Sequence, residues 1–502
     1  MFNWWEMQGD RSPSSISRRR LLQGLFATAA FGASTRWLAG CENRPSGTSR
    51  PNKANKPPNV LAIVVDDLRP QLNCYGHQQM ISPNIDRLAA GGMLFERAYC
   101  QVPVCGASRA STLAGARPTD TRFVTYKARK DEDLPDVPSW PMTFKRNGYR
   151  TISYGKVYHT QNDDSESWVE PSWRPWGMWG KDAYVKQENQ EIAIANGGPF
   201  GPPVEMAEVA DNVYADGKIA DRTIKTLDRL KDKPKPFFLG VGFFKPHLPF
   251  NAPKRYWDLY DRDEIDLADN PFRPKGAPDK ALHNWGELRS YSGIPQEGPV
   301  SDETARTLIH GYYACTSYVD AQIGQVLDAL DDMGLSDNTI VVLWGDHGWQ
   351  LGEHSLWCKH ANFETSLHSP LLVRGPGVPP GQRTRALVEF VDIYPSLCDL
   401  CGIDRPDHLE GASFVPLFQN PDLPWKEAVF SRYNSGESIK SDRYRYTEWR
   451  NNQGNLNARM LYDHVEDPGE NVNIAEQPEM ADIVAELSEK LQQGWSAFQP
   501  TA

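Results

Sequence analysis

The sequence predicts an α/β protein with a large, mostly parallel sheet flanked by helices and a smaller C-terminal α+β subdomain. Residues 59–65, 149–154, 236–244 and 339–344 are continuous apolar runs, the pattern of strands buried on both faces of a parallel sheet. Each run stops at residues that carry chemistry, and in open parallel sheets ligands bind beyond the carboxyl ends of the strands. After Gly411-Ala412-Ser413-Phe414 the chain changes to short strand-like segments, residues 428–433 and 444–449, separated by polar turns.

From the N-terminus, Ser17-Arg18-Arg19-Arg20-Leu21-Leu22 precedes an uncharged stretch too short for the roughly 20 apolar residues that span a bilayer. Residues 1–40 therefore resemble a twin-arginine export signal, and Leu38-Ala39-Gly40-Cys41 resembles a lipobox with Cys41 as the acylated residue. The expected location is the periplasm or cell envelope, with or without a lipid anchor at Cys41. Residues 41–58, rich in Pro, Ser, Asn and Lys, read as a flexible tether. A catalytic domain over 59–418 and the C-terminal subdomain over 419–502 complete the expected organisation, with helical spacing at 480–495 closing the chain.

Composition narrows the function classes. The 502 residues are 39% hydrophobic and 24% charged, which fits neither a polytopic membrane protein nor a disordered chain. The net charge of −11 argues against nucleic acid, whose phosphates need basic surfaces, but not against an anionic ligand held by local cations. Eight cysteines are too dispersed for a disulfide scaffold. The one CxxC pair, Cys398 and Cys401, lies in residues 388–402, whose spacing reads as a helix with both thiols packed.

The first run ends in Asp66-Asp67 and the last in Gly345-Asp346-His347-Gly348. Run 236–244 ends in Lys245-Pro246-His247, and run 149–154 in Gly155-Lys156 with His159 close behind. Three carboxylates gathered at one sheet edge push each other toward protonation unless a cation joins them. Oxygen ligands favour Ca²⁺ or Mg²⁺, with calcium the first choice, while His347 suits a transition metal better. Cys105 precedes a helical stretch at 107–114, where free N–H groups favour an anion. It reads either as a packed thiol or as a low-pKa nucleophile.

Cys105-x-Ala107-x-Arg109, followed by Gly115-Ala116-Arg117, resembles the signature of type I sulfatases, in which the cysteine is oxidised to Cα-formylglycine. Ala107 stands where that family more often has proline. Asp66-Asp67-Leu68-Arg69-Pro70, Gly155-Lys156-Val157-Tyr158-His159, Lys245-Pro246-His247 and Asp346-His347-Gly348-Trp349 resemble the same family in order and spacing. The resemblance implies an alkaline-phosphatase-like fold and a formylglycine-generating enzyme as maturation partner. It implies a divalent metal held by Asp66, Asp67, Asp346, His347 and the formylglycine from Cys105. By the same resemblance Arg109 is expected to steady that group, and Lys156, His159, His247 and Lys359 to hold the sulfate. The expected proton donor to the leaving oxygen is His247, assisted by Lys359, and His159 is expected to remove a proton from the hydrated formylglycine. The implied activity is hydrolysis of sulfate esters on a glycan, with a 2-sulfated uronic acid as the expected sugar.

Trp168, Trp173, Trp176 and Trp179 read either as a sugar-stacking insertion or as packing, and Arg443, Arg445 and Arg450 either as readers of a uronate carboxylate or, as is usual for exposed strand arginines, as solvated side chains. Two rival functions remain at this stage: a phosphoester or phosphonate hydrolase on the same scaffold, and a non-catalytic glycan-binding lipoprotein.

Overall fold

The computed structural model describes residues 56–198 and 200–500. The readings of an export signal and of a lipidated Cys41 fall outside the described residues. None of the described helices is long and apolar enough to cross a membrane.

Seven strands form the main sheet: β1 (Asn59–Val65), β2 (Met93–Tyr99), β3 (Arg150–Gly155), β4 (Phe237–Phe243), β5 (Thr339–Gly345), β6 (Leu371–Arg374) and β7 (Gln382–Glu389). Their order is β7-β2-β6-β5-β1-β4-β3. β3, β4, β1 and β5 are mutually parallel, as are β2 and β7, and β6 runs antiparallel between the two groups. The four apolar runs are thus four adjacent strands, and β1 shows why they lack alternation. Leu61, Ile63 and Val65 enter one hydrophobic core while Val60, Ala62 and Val64 enter the other, so every position is buried.

Helix α1 (Cys105–Ala114) follows β2. Helices α2 (Ala215–Leu230) and α4 (Asp302–Asp332) cover the first face, and α5 (Ile393–Cys401) the second; a single turn, α3 (Gly286–Arg289), lies between α2 and α4. The start of α4 is written in its sequence: the Ser301 hydroxyl accepts the Thr304 N–H at 3.2 Å, with Asp302 and Glu303 in the first turn. The helix expected over 388–402 begins later. Val388 and Glu389 finish β7, and Glu389 and Asp392 form a reciprocal capping box before α5. Apolar spacing alone does not separate a buried strand end from a helix start. Cys398 is buried within α5 and Cys401 closes it, and both are free thiols.

A second, antiparallel sheet runs in chain order: β8 (Ala428–Tyr433), β9 (Gly436–Ser441), β10 (Tyr444–Arg450) and β11 (Leu456–Asp463). Helix α6 (Ala481–Gln493) packs Val484 and Leu487 against Ile439, Tyr446 and Leu461. The sequence reading missed β9 because Gly-Glu-Ser-Ile-Lys-Ser has one large apolar residue. Its signal is the hairpin loop Asn434-Ser435, both at positive φ (49° and 59°), joining Tyr433 to Gly436. The described residues form one compact unit. Lys426, just before β8, reaches into the body beside β7, its Nζ lying 2.7 Å from Glu389 and 2.7 Å from Asp392.

Candidate active site

The carboxyl ends of β1 and β5 deliver Asp66, Asp67, Asp346 and His347, all fully buried. The Asp66 N–H donates to the Phe243 carbonyl and the Asp346 N–H to the Val65 carbonyl, each at 3.2 Å, so both carboxylates stand one residue beyond the ladder. Asp67 turns away in the left-handed region (φ 59°), and its N–H donates to Asp346 Oδ1 at 2.9 Å. The Tyr312 hydroxyl holds that turn by donating to the Asp67 carbonyl at 2.9 Å.

Cys105 is the first residue of α1, after an extended Val104 that offers no side-chain cap. Its thiol, 3% exposed, lies 3.2 Å from His347 Nε2 and 3.7 Å from Asp67 Oδ1. Burial pushes the thiol up to about 12, and Lys156 and Lys359 nearby only partly oppose that. That direction favours the packed thiol over the low-pKa nucleophile.

Arg109 lies one turn further along α1, on the same helix face as Cys105. Its guanidinium meets the two carboxylates: Nε is 2.8 Å from Asp346 Oδ2 and Nη2 is 3.0 Å from Asp66 Oδ1. Its remaining nitrogen donates to the carbonyls of Lys156 and Val157. Among the described residues Arg109 thus bonds to the acids and to backbone carbonyls, not to the thiol. Lys156 Nζ lies 2.5 Å from Asp66 Oδ2. Burial would raise the Asp66 carboxyl, but Lys156 and Arg109 outweigh it and hold it well below the usual range.

Asp67 is balanced less well. Burial raises it to about 7, with His247 and Lys359 pulling it back and Cys105 and Asp66 adding to the rise. Lys359 Nζ is 3.1 Å from Asp67 Oδ2, and His247 Nε2 is 3.7 Å from the same oxygen. Arg109, Lys156 and Lys359 thus lie against these three acids and share their neutralisation with the cation that the sequence reading called for.

The donor set fits a divalent cation. Atoms of Asp66, Asp67, Cys105 and His247 lie within 4.8 Å of one another, as do atoms of Cys105, Asp346 and His347. Three buried carboxylates supply hard oxygen ligands, and His347 Nε2, 3.4 Å from Asp67 Oδ1, adds a borderline one. His159 sits apart from this hydrogen-bonded network. Burial, with Lys156 beside it, holds its imidazole well below the usual range, and its buried Nδ1 has no partner among the described residues.

Sequence reasoning missed Glu287 on α3. Its carboxylate is 3.0 Å from Lys359 Nζ and 3.2 Å from His247 Nε2. Burial would raise it, but Lys359 and His247 outweigh that and hold it well below the usual range. The other nitrogen of His247 lies 2.6 Å from the Leu248 carbonyl, so both ring nitrogens face oxygen acceptors. No sequence motif marks Glu287. Its segment, between β4 and α4, carries no long periodic pattern.

The four tryptophans split between the two readings. Trp168 is buried, and Trp173 packs on Tyr154 and Arg222. Trp176 is 82% exposed, and Trp179 is 40% exposed with its ring 4.9 Å from His247 and 5.0 Å from Lys156 Nζ. The arginine reading is overturned. Arg443 pairs with Asp463, Arg445 with Glu364 and Glu470, and Arg450 with Glu448, so none is left to read a substrate carboxylate.

A mostly parallel sheet thus brings acids, cations and a buried cysteine to one edge. Residues 58–403 match the sulfatase family model, and residues 352–496 the model described as N-sulphoglucosamine sulphohydrolase, C-terminal. Human iduronate 2-sulfatase is 33% identical over 472 residues, covering 78% of this chain and 84% of that protein. A sulfatase of Formosa agariphila is 32% identical over 444 residues, covering 83% of each. Among solved structures, one in complex with its substrate D-glucosamine-2-N,6-O-disulfate superposes with a TM-score of 0.71 at 22% identity, covering 87% of this chain and 97% of that one. A phosphonate monoester hydrolase from Silicibacter pomeroyi superposes with a TM-score of 0.68 at 22% identity, covering 87% and 94%. These two share the fold. The chain belongs to the sulfatase family and is a sulfuric ester hydrolase close to iduronate 2-sulfatase. Membership implies a divalent metal and a formylglycine.

Proposed function

We propose that this sulfatase removes sulfate from a glycan carrying 2-sulfated uronic acid, using a formylglycine made from Cys105 and a calcium ion. The observation that carries the site assignment is the buried Cys105 thiol in contact with both Asp67 and His347. The likeness to iduronate 2-sulfatase supports the sugar.

In this reading Asp66, Asp67, Asp346, His347 and residue 105 hold the cation. When present, the cation and the hydrated formylglycine supply charge neutralisation and the attacking oxygen. Arg109 keeps the Asp66 and Asp346 carboxylates aimed at one point through its two contacts. Lys156 and Lys359 offset the negative sulfate oxygens in a buried, low-dielectric place where such contacts are strongest. His247 donates a proton from Nε2 to the leaving oxygen, with Lys359 beside it. His159, kept neutral by burial, accepts a proton at Nδ1. Exposed Trp176 and Trp179 offer ring faces to the sugar at the lip. Residues 59–418 form the catalytic body and 419–502 the subdomain, with 1–40 as the export signal, Cys41 as the site of a lipid anchor and the cell envelope as the destination.

The test is to co-express the chain with a formylglycine-generating enzyme, read the mass of the Cys105 peptide, and assay sulfate release from sulfated disaccharides beside phosphate and phosphonate monoesters. An aldehyde at residue 105 and preferred turnover of a 2-sulfated uronate are expected. Faster turnover of the phosphonate, or full activity in Cys105→Ala, refutes the proposal.

A further inference from the structure

Lys359 and His247 are each divided between two carboxylates. One is Asp67, which the proposed function commits to a cation; the other is Glu287. When a cation takes the oxygens of Asp67, Glu287 is the carboxylate left to orient both donors. It is suited to that, being 7% exposed and reaching both from outside the Asp66-Asp67-Asp346 group.

The segment around Glu287 holds Lys359 at both ends. Glu287 takes the Nζ, and four residues earlier His283 Nε2 donates to the Lys359 carbonyl at 3.0 Å. The tautomer is consistent, because His283 Nδ1 accepts the Trp285 N–H at 2.9 Å. Lys359 needs such holding. Its neighbours Cys358 (φ 73°) and His360 (φ 50°) are both left-handed, a conformation that non-glycine residues keep only where surrounding contacts impose it.

We propose that Glu287 is a positioning residue that clamps Lys359 and His247 side by side on the leaving-group side of the site. It does not touch the reacting atoms. This rests on the roles given to His247 and Lys359 in the proposed function. Its consequence is selective. An aryl sulfate such as 4-nitrophenyl sulfate expels a stable phenolate and needs little help from a proton donor, whereas a sugar sulfate expels an alkoxide and depends on one.

The experiment compares Glu287→Gln and Glu287→Asp with the wild type, all carrying formylglycine at residue 105 by mass, on 4-nitrophenyl sulfate and on a 2-sulfated uronate disaccharide. For Glu287→Gln, kcat on the sugar ester is expected to fall by about 10²-fold, the lower end of what general acid catalysis contributes. On the aryl ester it should fall less than about tenfold. Glu287→Asp, which keeps the charge, should recover part of the sugar-ester rate. Equal losses on both esters, or no loss on either, overturn the clamp. Should Glu287→Gln fail to fold, the Glu287→Asp ratio of the two rates decides in the same way. A wild type that carries the aldehyde yet releases sulfate from neither ester overturns the site assignment itself, and the clamp with it.

Discussion

Gly242 on β4 offers a direct test of how closely Lys156 must be held. A Cβ there would lie 2.1 Å from both the carbonyl carbon and the carbonyl oxygen of Lys156, and 2.5 Å from the Val157 nitrogen. All three are backbone atoms and cannot swing aside. Ordinary contact begins at 3.4 Å, so Gly242→Ala must drive the Lys156 backbone away by about 1.3 Å, the difference between 3.4 and 2.1 Å. The same Lys156 carbonyl accepts from Arg109, so the shift reaches both cations that hold Asp66. Misplacement by about 1 Å costs about 10²-fold in rate, and overpacking of this kind costs about 1–3 kcal/mol of stability. Gly240→Ala is the internal control, since its Cβ would meet the Val157 side chain at 3.1 Å, a contact that can give. Steady-state sulfate release, with circular dichroism as the folding check, should show a fall of about 10²-fold for Gly242→Ala and under about fivefold for Gly240→Ala. A folded Gly242→Ala chain within threefold of wild type would refute the claim that this close approach positions Lys156.

Lys426→Met should strip Asp392 of its cation, leaving it with the N–H groups of Glu389 and Ala412, while Glu389 keeps Arg117. Removing one partner of a buried pair costs about 3–5 kcal/mol, readable by urea unfolding, and a loss under about 1 kcal/mol would contradict the buried network. Burial would raise Glu389, but Arg117 and Lys426 outweigh it and hold the carboxyl at about 2, below its ordinary 4.5. A depressed acid contributes stability above its unfolded pKa and loses it as pH falls through the folded one. Glu389 should therefore shed about 2 kcal/mol between pH 5.5 and 3. The stability gap between wild type and Glu389→Gln should narrow by that amount over the same range, and a constant gap would count against it. For chelator-treated protein, added Ca²⁺ at 100 times its Kd should stabilise the fold by about 2.7 kcal/mol in a thermal melt. Failure of Asp67→Asn to weaken that response would remove Asp67 from the ligand set.

The apolar runs made the central strands legible because burial on both faces leaves no room for alternation, and β1 and β5 each end in the buried pair the reading singled out. Asp66, Asp67, Cys105, Asp346 and His347 come together because parallel strands share one carboxyl edge. Glu287 was not legible: its role depends on a single turn whose placement comes from packing, with no periodicity to announce it. Arg443, Arg445 and Arg450 misled because a basic residue on a strand says nothing about its partner, and here Asp463, Glu364, Glu470 and Glu448 lie within reach.

The depth at which Cys105 is sealed sets a timetable for the chain's synthesis. His347, against which the thiol packs, is added 242 residues after it. At about 5–20 residues per second a ribosome needs about 10–50 s to cover that interval, and during it the thiol's final neighbours do not yet exist. If Cys105 is matured as proposed, an oxidising catalyst that grasps the peptide around residue 105 would have at least that interval in which to act before the strand edge assembles over it.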